Sequence, residues 1–136
     1  MELLINIDVD DLTRAIAFYQ SAFGLQPVRR FGAAGVEMRG ATAPLFLLVK
    51  EAGSPAVAGL AELRRYVRHW TPVHLDVVVS EIGAAVQRAV GAGAQLEGEI
   101  HTYAWGHIAH LADPFGHGLC LIQFLGRGYD EVADPA

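Results

Sequence analysis

The chain repeats itself at an interval of seventy residues, and this repeat limits the available folds more than any other feature. Near the start it reads Leu3-Leu4-Ile5-Asn6-Ile7-Asp8-Val9, then Asp10-Asp11-Leu12, then Ala15-Ile16-Ala17-Phe18-Tyr19. Further on it reads Val73-His74-Leu75-Asp76-Val77-Val78-Val79, then Ser80-Glu81-Ile82, then Ala85-Val86. Val9 falls on Val79, Asp11 on Glu81, Leu12 on Ile82, Ala15 on Ala85 and Ile16 on Val86. Few residues are identical, yet the order of residue classes is kept.

Each half opens with an apolar, β-branched run of period two, which predicts a strand. A short polar residue follows (Asp10 or Asp11, and Ser80) and suits a helix start. Apolar positions 12, 15, 16, 19 and 23, and then 82, 85, 86, 89 and 90, recur at helical spacing. Gly24 and Gly93 stand where each helix needs a left-handed terminator. Three strands are predicted after each: Pro27–Phe31, Gly35–Arg39 and Leu45–Val49, then Ala94–Ile100, His107–Ala112 and Gly118–Phe124. The chain thus reads as one domain over 1–136. A βαβββ module spans 3–50, a linker with a helix 51–71, a second module 72–125 and a polar tail 126–136. In the linker, Leu60, Leu63, Tyr66 and Val67 form the helical stripe, with arginines opposite.

Such a half has one sheet face to cover with its helix and a second that needs its repeat partner. The expected fold is α+β: two tandem modules forming a cupped eight-stranded mixed sheet with helices outside. Phe18, Tyr19, Phe23, Val86 and Val90 are the expected core, and the concave face is the expected place of any function.

At 136 residues, with 52% apolar and 18% charged residues, the chain has enough apolar material for one packed core. Its net charge is −5, and the Arg29-Arg30 and Arg64-Arg65-Arg68 groups are too small for a nucleic-acid footprint on an acidic protein. The longest apolar run, Pro44–Val49, is too short to cross a bilayer, and no basic region precedes a hydrophobic stretch at the N-terminus. A single cysteine, Cys120, excludes a disulfide framework and any multi-cysteine zinc site. A cytoplasmic protein without nucleic-acid or membrane partners is expected.

Val9-x-Asp11-Leu12, Phe18-Tyr19, Phe23-Gly24-Leu25, Trp105-Gly106 and Asp113-Pro114-Phe115-Gly116-His117 resemble the vicinal oxygen chelate superfamily. That group holds glyoxalases, bleomycin-binding proteins, fosfomycin-modifying enzymes and extradiol dioxygenases. The resemblance runs from Leu3 to Phe124 and settles fold better than reaction. For metal-dependent members it implies four ligand positions, which fall here at Leu4, near Phe46, at His74 and at Cys120. Only His74 keeps the usual ligand type, because Leu4 and Phe46 carry no lone pair and Cys120 stands where such relatives have glutamate. The ordinary family metal site is therefore not expected, nor any other cofactor; His74 is the one position from which a metal could be held.

The resemblance also implies that His110 faces the ligand and that Asn6 lies at a pocket position. Cys120 is either a small buried hydrophobe or a partner of His74 and His110, as a soft-metal ligand or a nucleophile with its base. Tyr103 and Trp105 alternate, so both can lean over the cavity, with Phe31, Met38 and Phe46 as further apolar lining. Asp8 requires a partner if it points inward. Glu37 reads as exposed at the rim, and His69, His101, His107 and His117 as surface groups. No phosphate-binding glycine loop or nucleophile elbow is present.

Two functions follow as expectations. The first is a small-molecule binding protein, homodimeric like its relatives, working without the usual metal; its ligand residues would be Asn6, Phe46, His74, Tyr103, Trp105, His110 and Cys120. The second is a lyase, isomerase or dioxygenase-like enzyme using His74, His110 and Cys120 with a non-standard metal.

Overall fold

Alternation along each strand decides which side chains meet the helix. A computed structural model describes residues 1–136, in two compact units, Met1–Val67 and Arg68–Ala136. In the first, β1 (Ile5–Val9) leads into α1 (Leu12–Phe23). Asp11 caps that helix, its carboxylate accepting from the Arg14 N–H at 2.9 Å, and Gly24 ends it at φ 70°. Ala15, Phe18, Tyr19 and Ala22 form the buried stripe, with Phe18 edge-on to Tyr19 and Phe23. β2 (Gln26–Arg30), β3 (Gly35–Arg39) and β4 (Leu45–Val49) complete a mixed sheet in the order β1-β4-β3-β2, with β1 parallel to β4. Val9, Val36, Met38, Leu45 and Leu47 are buried in its core. Met38 pairs with Leu45 and has the parity of Val36, so it lies in this core rather than lining an open face.

The second unit repeats the plan with β5 (Leu75–Val78), α2 (Ile82–Ala92), β6 (Gln95–Tyr103), β7 (Gly106–Ala112) and β8 (Gly118–Phe124), in the order β5-β8-β7-β6. The tandem βαβββ reading holds, as two four-stranded mixed sheets, one per module. Glu81, not Ser80, takes the second N-cap and makes no side-chain cap bond. The Gln123 side chain on β8 instead accepts from the Ile82 N–H at 2.8 Å, so tertiary packing supplies what the local sequence does not. Ile82, Ala85, Val86 and Ala89 are buried on α2, whereas Val90 is 45% exposed and leaves the expected core.

The helix expected in 51–71 does not form. Gly53 and Gly59 take positive φ (82° and 88°), Pro55 pairs with Leu63 in an isolated bridge, and the segment runs as turns. Side chains fasten it instead. Arg64 Nε donates to Asp8 at 2.6 Å and its Nη1 to the Pro55 carbonyl at 2.6 Å, while the Tyr66 hydroxyl donates to the Lys50 carbonyl at 2.5 Å. Leu60, Leu63 and Val67, read as a packed stripe, are all more than half exposed. The tail carries a 3₁₀ turn, Gly128–Glu131, whose Tyr129 packs on Phe124 and Trp105. No helix is long and apolar enough to cross a membrane.

Candidate functional site

Strand pairing lays one row of side chains across each sheet, on the face turned away from the helix-side core. In the first sheet the row is Asn6, Phe46, Glu37 and Arg29; in the second it is Asp76, Cys120, His110 and Glu97. The two rows occupy equivalent positions of the repeat, yet their chemistry differs.

In the first row Glu37 is only 2% exposed, which corrects its expected place at an exposed rim. Arg29 donates to one carboxylate oxygen through Nε (2.7 Å) and Nη2 (2.6 Å), and Arg39 Nε donates to the other at 2.5 Å. Burial alone would push this carboxyl up, but the bonds from Arg39 and Arg29 outweigh it and hold the group below its ordinary range. Phe46 stacks on Phe31 at 6.2 Å, and the Arg29 guanidinium lies 5.8 Å from the Phe31 ring centre. Asn6 is exposed.

The second row opens into a cavity of about 210 Å³ that lies wholly within the second unit. Trp70, Leu111 and Leu119 supply apolar wall; Arg68, Glu97, His74, His110 and Cys120 supply polar groups. Arg68 clamps Glu97 through Nε at 2.7 Å and Nη2 at 2.9 Å and also donates to the His69 carbonyl. The clamp holds the Glu97 carboxyl below its ordinary range and raises the Arg68 guanidinium further. The guanidinium lies so close to Gly118 that a Cβ there would stand 2.8 Å from Nη2. A residue without a side chain at 118 is what lets Arg68 lie flat against the strand.

At the other end of the row, His74 Nε2 is 3.2 Å from Asp76 Oδ1, and ligand atoms of His74, Asp76 and Cys120 all lie within 4.8 Å of one another. The Cys120 side chain is buried; burial, and then the neighbouring Asp76 charge, push the thiol up to about 11. At neutral pH it is not a prepared nucleophile.

Of the four ligand positions that the resemblance implies, Leu4 and Phe46 offer hydrocarbon, and only His74 and Cys120 carry donor atoms.

Of the residues singled out from sequence, His74, His110 and Cys120 meet at this cavity. Asn6 and Phe46 share the row in the first sheet. Tyr103 and Trp105 stack on each other at 5.7 Å and 11°, and Trp105 packs on Phe124 and Tyr129. They sit where β6 turns into β7, away from the Glu97–His110 pair, and line no part of the cavity. Thr102 Oγ1 is 2.8 Å from His107 Nδ1, and His69 meets His117 edge-on at 5.3 Å. Arg68, Trp70, Asp76 and Glu97 were not nominated by sequence. Only Asp76 left a signal there, since it shares strand parity with His74.

A family model described as a glyoxalase-like domain matches residues 4–122. An uncharacterized protein of Mycobacterium bovis is 30% identical over 121 residues, covering 87% of this chain and 80% of that protein. An uncharacterized protein of Mycobacterium tuberculosis matches at the same identity and covers 71% of its own length. Among solved structures, a glyoxalase/bleomycin resistance protein/dioxygenase family enzyme from Burkholderia phytofirmans superposes with a TM-score of 0.72 at 22% identity, covering 90% of this chain and 97% of that one. A fosfomycin resistance protein from Listeria monocytogenes gives 0.72 at 14% identity, covering 98% of each chain. Lactoylglutathione lyase from Agrobacterium tumefaciens gives 0.63 at 19%, covering 90% and 92%. At such identities the structural likeness establishes the fold alone. On the family match, and on its paired βαβββ modules, this chain is a member of the glyoxalase-like domain family, within the vicinal oxygen chelate superfamily.

Proposed function

We propose that the chain binds a small molecule in the second-module cavity, without the four-position metal centre of the family's metal-dependent members. The observation that carries this reading is the lining itself: apolar wall from Trp70, Leu111 and Leu119 with Arg68, His74 and His110 converging on it. Its size limits the ligand. About 210 Å³ is below the range of roughly 300–1,000 Å³ typical of drug-sized sites and somewhat above the ~150 Å³ that holds benzene. A compact ligand, or one end of a larger one, suits this space. An enzyme that uses Cys120 as nucleophile is disfavoured by the protonated state of that thiol. We further infer a homodimer, since β6 is an edge strand of nine exposed residues and a partner copy would cover it. Light scattering tests this directly, a monomeric mass removing the inference.

The binding test is a thermal-shift screen in chelator, run with small antibiotics, α-ketoaldehyde–thiol adducts and catechols. A Trp105→Phe variant leaves Trp70 as the sole indole reporter, and a hit should quench it saturably. Arg68→Ala and His110→Ala should each weaken that hit about tenfold or more. Hits that bind both variants as well as the parent, or no hits at all, would remove the reading.

A further inference from the structure

We propose that the first module carries a binding site of its own for an aryl oxyanion, with Arg29 and Arg39 taking the carboxylate or phosphate and Phe31 taking the ring. The site lies within Met1–Val67 and goes beyond the small-molecule reading of the second-module cavity. It uses no donor atom from the four positions that the family resemblance implied.

Strand register assembles these groups on one sheet face. Arg29 on β2 pairs with Glu37 on β3, and Glu37 in turn pairs with Phe46 on β4. Arg39 stands two residues after Glu37, so alternation turns it to the same side, where it bonds to the Glu37 carboxylate. Phe31 follows β2 directly, its N–H donating to the Gly35 carbonyl at 3.0 Å, and its ring stacks on Phe46. Burial sorts the groups by depth. Glu37 is almost fully buried, whereas the Arg29 and Arg39 side chains are 62% and 53% exposed and Phe31 is 44% exposed. The acid is the buried anchor, and the guanidiniums and the ring are what solvent meets.

The chemistry of the cluster selects its ligand. One carboxylate balances only one of two arginines, so a positive charge is left over on a chain whose net charge is −5. Glu37 also fixes both side chains before any ligand arrives, which lowers the ordering cost of binding. Arg39 meets Glu37 through Nε, and Arg29 through Nε and Nη2. Each guanidinium therefore keeps most of its N–H donors, and their planar forks match the paired oxygens of a carboxylate or phosphate. The Arg29 guanidinium lies 5.8 Å from the Phe31 ring centre, so a ring stacked on Phe31 brings its oxyanion within reach of that fork. The repeat supplies an internal contrast. Where the first row has Arg29 and Glu37, the second has Glu97 and His110, which reverses the order of charge.

The test follows the isotope-labelled arginine side chains of the full-length protein by NMR, with naphthoate, naphthyl phosphate and the neutral naphthylmethanol as probes. An anion should saturably shift the Nε–H resonances of Arg29 and Arg39 and leave that of Arg64, which is tied to Asp8, in place. Binding of either anion supports the site, and the tighter one identifies the preferred oxyanion. The alcohol should bind about tenfold more weakly or worse. Arg29→Gln and Arg39→Gln should each weaken the anion about tenfold, and Phe31→Ala about fivefold. Circular dichroism confirms the fold of each variant. If an arginine variant fails to fold, the parent's resonances and the exposed Phe31→Ala carry the decision. Stationary Arg29 and Arg39 resonances, an alcohol that binds as tightly as the anions, or folded variants that bind like the parent overturn the proposal. The resonances read belong to first-module arginines, so this site and the second-module cavity can fail independently.

Discussion

Asp76 stands opposite Cys120 in the second sheet as Asn6 stands opposite Phe46 in the first. The same backbone register therefore presents an acid beside a thiol in one module and an amide beside a phenyl ring in the other. The rows continue as His110 and Glu97 against Glu37 and Arg29. Two copies of one scaffold carry separate chemistry.

In the first row, Glu37 anchors two arginines from a buried position, so Glu37→Gln should lower the urea midpoint at neutral pH. Its folded carboxyl lies below the ordinary 4.5. A depressed acid contributes stability that is full above the ordinary value and is lost as pH falls through the folded one. The parent and the variant should therefore converge in acid. Denaturation curves measured from neutral to acidic pH check this, and a gap that widens on acidification would contradict it.

In the second row, the neighbouring glycines separate two kinds of crowding. A Cβ at Gly118 meets only the far end of the Arg68 side chain, whereas a Cβ at Gly106 would stand 2.3 Å from the Gln123 carbonyl oxygen. Gly118→Ala should keep stability within about 1 kcal/mol, and Gly106→Ala should cost roughly 2 kcal/mol or more. Displacing Arg68 also frees Glu97, whose carboxyl titration, followed by NMR, should rise toward its ordinary value in Gly118→Ala.

Cys120 is 5% exposed, and burial pushes its thiol up to about 11. Ellman's reagent should react slowly with the folded, metal-free protein at neutral pH and quickly once urea unfolds it. Removing the adjacent negative charge lowers the thiol, so Asp76→Asn should react faster than the parent at the same pH. Equal rates in the two folded proteins would mean that burial alone controls the sulfur.

The segment between Lys50 and Thr71 is held by side-chain bonds and by a few backbone bonds, among them Gly53 N–H to the Arg64 carbonyl and Arg64 N–H to the Ser54 carbonyl, rather than by a helix. Arg64→Ala removes the bonds to Asp8, Ser54 and Pro55 and should cost about 1–2 kcal/mol. Limited proteolysis should then cut this segment first, with the flanking modules left whole. Cleavage no faster than in the parent would assign the anchoring to Tyr66 and its bond to Lys50 instead.

Much of the fold could be read from order and period. The seventy-residue repeat, the apolar runs Leu45–Val49 and Gly118–Phe124, and the glycines after each helix were the signals, and the strands they announced are present. The linker departs from the expected helix because Gly53, Pro55 and Gly59 favour turns, although Leu60, Leu63 and Val67 have helical spacing. Tyr103 and Trp105 were read as cavity lining because alternation gives a face but not a neighbour, and they turned to each other and to Phe124 and Tyr129.

What the chain's order alone determined is the paired βαβββ plan; the family resemblance added His74, His110 and Cys120 as pocket candidates and showed Leu4 and Phe46 to lack donor atoms. What only the folded structure decided is which groups join those candidates. Arg68 reaches Glu97 across twenty-nine residues, and Gly118 makes room for it. Asp76 gains its meaning from Cys120, forty-four residues on, through parallel pairing. The physical reason is that periodicity is a property of neighbours in the chain. Hydrogen bonds and coordination are properties of neighbours in space, and strand register brings those together.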